Sequence, residues 1–325
     1  MYEIDKFYFK YLLLLLEEIG MKKQKVLVTG GCGFIGSRIV KKLLEKDFEV
    51  HVIDDLSTGN ISNIPLDQVE FFHIDILHND LEDLFSKFQY DYVIHQAAQT
   101  SVAFSVENIK TDAKINILGS INLIDLAIKY KVKKFIFASS AAVYGHPNEL
   151  PITESHNTVP SSPYGLSKLT IEKYLDLAHD LYGLSYIILR YSNVFGPKQT
   201  AKGEGGVVSI FNECLKNNER PIIYGDGNQT RDFIFVDDVA EANIAAIYSN
   251  VSGIYNISSN EQISINKLLS IMNDISGKNL KPIFDSPRVG DIRDSLLSND
   301  KANQHLMWKP KISLYDGLKM TLTIY

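Results

Sequence analysis

Ser161–Lys168 reads S-S-P-Y-G-L-S-K. Ser161 or Ser162 can cap a helix N-terminus, and Pro163 suits the first helical position, where its missing N–H costs nothing. A helix begun there sets Tyr164 and Lys168 on one face, one turn apart. An ammonium beside a phenol favours the phenolate and draws down a pKa that starts near ~10. A tyrosine tuned in this way can act as a general base at cellular pH. The spacing alone equally describes an amphipathic helix carrying one Tyr and one Lys, so the remainder of the chain has to decide between them.

A second group of residues supplies a partner for that base. Thr29–Gly36 reads T-G-G-C-G-F-I-G, between an apolar β-rich run, Lys25–Thr29, and a helical stripe of Ile35, Ile39, Val40, Leu43 and Leu44. Gly30, Gly33 and Gly36 permit a tight turn and let backbone N–H groups approach a pyrophosphate at a helix N-terminus, with Phe34 and Ile35 opening that helix. Asp54 closes the next strand, where an acid accepts hydrogen bonds from the adenosine ribose hydroxyls. A carboxylate repels a 2′-phosphate and no Arg stands beside it, so NAD is favoured over NADP; the other use for Asp54, as for Asp55, is a turn. Asp75, with Ile76 after it, either meets the adenine amine or turns the chain at a strand end. Ala97 and Ala98, in H-Q-A-A-Q-T-S-V, are small enough for a flat cofactor to lie against the backbone. His95 reads as a structural strand-end residue, and Asn116 as a buried polar brace or a residue of a helix face.

These residues need a frame, and the chain supplies one by alternation. Strands are expected at Lys25–Thr29, Glu49–Ile53, Val69–Ile74, Tyr92–His95, Phe135–Ala138 and Tyr186–Leu189, with helices among them, notably Asn108–Tyr130 and Pro163–Tyr182. That order predicts an α/β fold with a doubly wound parallel sheet. Beyond Arg190 the pattern breaks up. Asn193–Gly206 reads as a loop, Asp232–Val236 and Gly253–Ile257 as short strands, and Asp237–Ser249, Ile265–Ile275, Ser298–Leu306 and Ser313–Thr321 as helices. We read residues 21–190 as the cofactor domain and 191–325 mainly as a smaller substrate lobe that returns elements to it, with the ligand between them. Residues 1–20 form an extension whose Ile4, Phe7, Tyr8, Tyr11, Leu12 and Leu15 recur at helical spacing. Tyr11–Leu16 is too short to span a bilayer and lacks a cleavage site, and Met21 is a second candidate start.

The 325 residues carry a net charge of −6 with no long basic run, which argues against nucleic acid or an anionic membrane as partner. Only Cys32 and Cys214 are present, in no metal-ligand spacing, so a reducing, cytoplasmic setting without a metal is expected.

With the glycine loop, Ser139–Gly145 (S-S-A-A-V-Y-G), Tyr164-x-x-x-Lys168 and Arg190–Pro197 (R-Y-S-N-V-F-G-P), the chain resembles the extended short-chain dehydrogenase/reductases, and within them the NAD-dependent nucleotide-sugar epimerases. The resemblance runs from about Lys25 into the C-terminal region, where Leu306–Leu318 carries the Trp-Lys-Pro…Gly-Leu ending. It implies a Rossmann-type sheet, NAD as cofactor, and a homodimer built by packing Asn108–Tyr130 and Pro163–Tyr182 against their copies. It also implies roles: Tyr164 takes a proton from a sugar hydroxyl, Lys168 holds the nicotinamide ribose, and Ser140 bonds the same sugar oxygen. Asn193 would lie near the sugar or diphosphate, with Tyr191 and Val194 against the nicotinamide. Dehydratases and decarboxylases of the family place carboxylates just after the catalytic Ser or Thr; Ala141 and Ala142 stand there here, which disfavours both reactions. Oxidation at carbon 4 and return of hydride to the other face needs only the Ser–Tyr–Lys set.

The substrate is read from the second lobe. In Tyr224–Val236 (Y-G-D-G-N-Q-T-R-D-F-I-F-V), Tyr224 belongs to the expected sugar-nucleotide surface and Arg231 resembles the family arginine that meets the diphosphate. Arg288, in R-V-G-D-I-R-D-S, resembles a second such arginine and Asp291 the acid near the uridine ribose. Ser295 stands where a residue walls the pocket beside the sugar's 2-position; a small side chain there leaves space for an N-acetyl group. The expected reaction is 4-epimerisation of UDP-N-acetylglucosamine and UDP-N-acetylgalactosamine. The alternatives are a UDP-glucose or UDP-glucuronate 4-epimerase, a dehydratase, decarboxylase or reductase on the same sugars, and a non-catalytic redox-sensing or scaffold protein.

Overall fold

The computed structural model describes residues 23–200, 206–287 and 292–322. Its centre is a seven-stranded sheet: β1 (Lys25–Thr29), β2 (Glu49–Asp54), β3 (Glu70–His73), β4 (Tyr92–His95), β5 (Lys134–Ser140), β6 (Tyr186–Tyr191) and, from the second half of the chain, β11 (Gly253–Ile257). The order is Gly253–Ile257, β6, β5, β4, β1, β2, β3, and every pairing is parallel. Parallel strands buried on both faces read as continuous apolar runs, and β1 (KVLVT) and β6 (YIILRY) do so.

Helices cover both faces. On one, Ile39, Val40 and Leu43 of the Phe34–Glu45 helix pack with Val239, Ala242 and Ala246 of the Val236–Tyr248 helix. On the other, Leu81, Phe85, Leu123, Ile124, Ile171 and Leu175 share a core with Leu27, Phe135 and Ile188. A third cluster, with Phe195, Phe211, Phe233, Phe235, Leu268 and Met272, gathers side chains from the second half of the chain. That half also holds three two-stranded sheets: β7 (Asn193–Phe195) with β10 (Phe233–Phe235), β8 (Ile222–Tyr224) with β13 (Ile283–Asp285), and β9 (Thr230–Arg231) with β12 (Ile263–Ser264). The expected loop Asn193–Gly206 therefore begins as a strand, since Val194 and Phe195 pack into the small core.

The Pro163–Tyr182 helix has the expected bounds. Ser162 accepts a hydrogen bond from the Gly165 N–H at 3.1 Å, Pro163 opens the first turn, and Gly183 closes the helix in a left-handed conformation. The long helix expected at Asn108–Tyr130 is corrected. Helical structure starts at Val102, breaks at Asn108, and passes through a π-helix at Ala113–Gly119 before Ser120–Lys129. Ser101 is the missed N-cap, accepting from the Phe104 N–H. The wider turn places Asn116 inward, where its side chain bonds the Gln99 backbone at both N–H and C=O, each at 2.8 Å.

Candidate active site

The strand order reverses between β1 and β4, and there, at the C-terminal ends of the strands, lies a cavity of about 720 Å³. Its walls bring together Gly30, Gly33, Phe34, Ile35, Gly36, Asp54, Asp75, Ile76, Ala97, Ala98, Ser140, Tyr164, Tyr191 and Val194.

The glycine loop is built for close approach. Gly30 has φ +65° and its N–H donates to the Ile53 carbonyl; a Cβ on it would lie 2.7 Å from the Ala97 nitrogen. A Cβ on Gly36 would lie 2.1 Å from the Gly30 carbonyl oxygen. Asp54 is buried at the end of β2, its two oxygens accepting from the Cys32 and Leu56 N–H groups at 2.9 Å each. Burial raises its carboxyl pKa and those two bonds pull it back. Asp75 is exposed at the rim and accepts from the Leu77 N–H, so it makes the strand-end turn as well as lining the cavity. Loop, carboxylate and small alanines fit the dinucleotide anticipated from the sequence. At the same wall, the side-chain oxygen of Gln199 is buried without a hydrogen-bond partner among the described residues.

Tyr164 and Ser140 both line the cavity. The Tyr164 N–H, an orphan donor in the first helical turn, bonds Ser105 Oγ at 3.2 Å. Lys168 Nζ lies 5.9 Å from the Tyr164 ring centroid and donates to the Ala138 carbonyl at 2.9 Å. Lys168 and Asn116 stand behind the cavity surface, both buried. Ser140 Oγ accepts from the Ala142 N–H at 3.1 Å, which leaves the hydroxyl proton to be given to an incoming oxygen. Tyr191 is buried, its hydroxyl accepting from the Gln96 and Asn243 amides, and burial pushes its phenol up to about 12.

His95 is structural, as expected from its position. Thr29 Oγ1 accepts from the Gln96 and Ala97 N–H groups at 3.2 and 3.1 Å, so its own proton goes to His95 Nδ1 at 2.7 Å. Nε2–H then donates to Ser120 Oγ at 2.8 Å, and Ser120 donates to the Asn116 carbonyl at 2.6 Å. This chain ties the glycine loop to the π-helix and keeps the imidazole neutral, with its pKa lowered to about 3 by burial and then by the Lys168 charge. A depressed histidine contributes stability above its unfolded pKa near ~6.5, lost as pH falls from there towards the folded value. Between pH 7 and pH 5 the wild type should lose about 2 kcal/mol more unfolding free energy than His95→Gln. Urea titrations at the two pH values measure this, and equal losses would exclude it.

The substrate residues are placed differently. Asn193, Tyr224, Arg231 and Ser295 lie outside the cavity wall. Asn193 is exposed between the lining residues Ser192 and Val194. Arg231 donates to the Thr230 carbonyl at 2.7 Å, and Ser295 is buried in a segment held by Thr230 and Asp232. Residues 1–20, Arg288 and Asp291 fall outside the described residues.

Several further residues line the cavity that none of the motifs above singles out as a cofactor contact. Gln99, Thr100, Phe104, Glu107, Thr111 and Ile115 come from the loop after β4 and the helices that follow, and Ser57–Gly59 from the loop after Asp54. Gly59 was the available clue, since a Cβ there would lie 2.8 Å from an Asp54 oxygen. Among the described residues there is no cluster of metal-ligating side chains, and no helix is long and apolar enough to cross a membrane.

The NAD dependent epimerase/dehydratase family model matches residues 26–258. A Methanocaldococcus jannaschii protein provisionally named a UDP-glucose 4-epimerase is 48% identical over 295 residues, covering 90% of this chain and 96% of that one. The crystal structure of UDP-glucose 4-epimerase from Thermotoga maritima with UDP-glucose superposes with a TM-score of 0.90 at 42% identity, covering 92% of this chain and 97% of that one. UDP-N-acetylglucosamine 4-epimerase from Methanobrevibacter ruminantium, in complex with UDP-N-acetylmuramic acid, gives 0.89 at 37% identity, covering 93% and 97%.

Proposed function

Because the chain belongs to the NAD dependent epimerase/dehydratase family, we propose that it is a UDP-sugar 4-epimerase acting on UDP-N-acetylglucosamine and UDP-N-acetylgalactosamine. The observation that carries the reaction type is the convergence of Ser140 and Tyr164 on the wall of the cavity that also holds Gly30, Gly36 and Asp54. NAD held there would supply the chemistry of hydride removal from sugar carbon 4 and of its return to the opposite face once the keto sugar has turned over. Gly30, Gly33 and Gly36 would hold its pyrophosphate, Asp54 the adenosine ribose, and Lys168 the nicotinamide ribose.

The protein's own groups move the proton. Tyr164 accepts it from the sugar 4-hydroxyl as hydride leaves, and returns it when the ketone is reduced. The Lys168 ammonium favours the phenolate, and Ser140 donates to the same sugar oxygen as charge develops on it. Ala141 and Ala142, in the short turn Ala141–Tyr144 after Ser140, offer no acid or base for eliminating water.

The small size of Ser295 supports the N-acetylated pair; it is buried, and its neighbours Asp294 and Leu297 bond Thr230 and Asp232, on either side of the proposed diphosphate arginine, Arg231. UDP-glucose is the second reading, favoured by the names of the relatives from M. jannaschii and T. maritima. Incubation with UDP-glucose, UDP-N-acetylglucosamine and UDP-glucuronate separately, with resolution of the epimers, tests the proposal. The expected product is UDP-N-acetylgalactosamine of unchanged mass; conversion of UDP-glucose alone would select the second reading. Ser295→Tyr should lower kcat/KM for the N-acetylated pair about a hundredfold, the loss expected when a buried side chain blocks a substituent. Undiminished activity on that pair would sink the wall assignment.

A homodimer is part of the proposal. Leu166, Tyr174, Leu177 and Leu181 are exposed on the Pro163–Tyr182 helix, beside exposed Val102, Val106, Ile109 and Leu118. Helical spacing puts the first four along one stripe, apolar surface suited to a second copy.

A further inference from the structure

We propose that Glu172, with Arg190 locked onto it, is a positioning residue that holds Ser140 and Tyr164 in register; the inference rests on the epimerase reading above. Glu172 lies one turn beyond Lys168 and two beyond Tyr164 on the same helix face, and it is wholly buried. Its Oε1 accepts from Ser139 Oγ at 2.6 Å and from Arg190 Nε at 2.9 Å, while Oε2 accepts from Arg190 Nη2. One turn back, Lys168 Nζ donates to the Ala138 carbonyl at 2.9 Å. Successive turns of the helix thus grip successive residues of β5, Ala138 and Ser139, immediately before Ser140. A slip of the helix along the strand breaks both grips.

Arg190 extends the hold to the other side of Ser140. It stands opposite Ser139 in the β5–β6 register, and its guanidinium lies 4.7 Å from the ring centroid of Tyr144. Tyr144 ends the turn that begins just after Ser140, and its hydroxyl donates to Asn256 Oδ1 at 2.6 Å. Ser140 is therefore bracketed, by Glu172 through Ser139 and by Arg190 through Tyr144. Neither Glu172 nor Arg190 lines the cavity, so both act through those neighbours.

Stability alone does not account for this pair. Well-packed apolar side chains in place of a buried ion pair are often as stable or more so. Arg190 Nη1, moreover, is buried with no hydrogen-bond partner among the described residues. What the pair does provide is placement, and a displacement of about 1 Å at reacting groups costs on the order of a hundredfold in rate.

The test begins from wild-type turnover of the UDP-sugars named above. An inactive wild type strikes down the epimerase reading itself; an active wild type with fully active variants strikes down only the clamp. In Glu172→Gln, kcat should fall about a hundredfold with KM within twofold and NAD content unchanged. The double variant Glu172→Met/Arg190→Met carries no buried charge and should keep the wild-type thermal transition while showing the same fall in kcat, a separation that a merely structural pair cannot produce. Ser139→Ala deletes one hydroxyl and decides the matter should the others not fold, with kcat reduced roughly tenfold at unchanged KM, about the worth of one hydrogen bond. Wild-type kcat in the double variant or in Ser139→Ala, or a loss confined to KM or to thermal stability, overturns the proposal.

Discussion

Tyr164→Phe is expected to lower kcat for epimerisation about 10³-fold, within the range for removal of a positioned general base. KM should move by no more than a few-fold, and the thermal transition should stay where it is. The reasoning is local. The substitution deletes only the phenolic oxygen and keeps the backbone N–H on Ser105 Oγ, the Ser162 cap, and Lys168 on the Ala138 carbonyl. Lys168 cannot stand in as the base, because an ammonium donates hydrogen bonds and has no lone pair with which to take a proton. Ser140→Ala should cost less, about 10²-fold, since an electrostatic donor is lost and the proton acceptor remains. Retention of more than a tenth of kcat in Tyr164→Phe would remove Tyr164 from its role.

How much of this was legible in the sequence depended on whether a function was carried by neighbours in the chain or by neighbours in space. The proposed cofactor residues sit mostly in short runs at strand ends, where one glycine spacing or one acid implies its own backbone geometry, and all but Asn116 and Lys168 line one cavity. The helix that carries the proposed base was legible to the residue, since Ser162, Pro163 and Gly183 punctuate it. The π-helix was not. Ala113–Gly119 has ordinary helical apolar spacing, and what widens the turn is tertiary, the capture of the Gln99 backbone by Asn116. The second half of the chain was hard for a different reason: strands of two or three residues, such as Thr230–Arg231 and Ile222–Tyr224, are shorter than any period that would reveal them. Glu172 and Arg190 look like surface charges on paper. Only the packing of the Pro163–Tyr182 helix against β5 and β6 shows them facing each other in the interior.

Gly36→Ala tests the cofactor end of the site as Tyr164→Phe tests the chemical end, and two effects oppose each other in it. Alanine is favoured over glycine within a helix by about 1 kcal/mol. Against this, the new Cβ would lie 2.1 Å from the Gly30 carbonyl oxygen, a backbone atom that no rotamer change can move aside. Ordinary contact requires the loop and the helix start to separate by roughly 1 Å, and overpacking of that kind costs about 1–3 kcal/mol. The two nearly cancel in the free protein, so its thermal transition should shift by only a few degrees. They do not cancel in the complex, because Gly30 through Gly36 would contact NAD through backbone N–H groups whose alignment the displacement destroys. Affinity for NAD should fall at least a hundredfold, which is about 2.7 kcal/mol, and the purified variant should contain little bound cofactor. Gly183→Ala is the control. Its φ of +73° strains any substituted side chain, yet nothing lies within 4 Å of the added Cβ and the site is the far end of the Pro163–Tyr182 helix. That variant should lose thermal stability while keeping wild-type NAD affinity, the reverse of the pattern at Gly36. Calorimetric titration with NAD measures both, and a Gly36→Ala dissociation constant within threefold of wild type would show that the loop is not the pyrophosphate cradle.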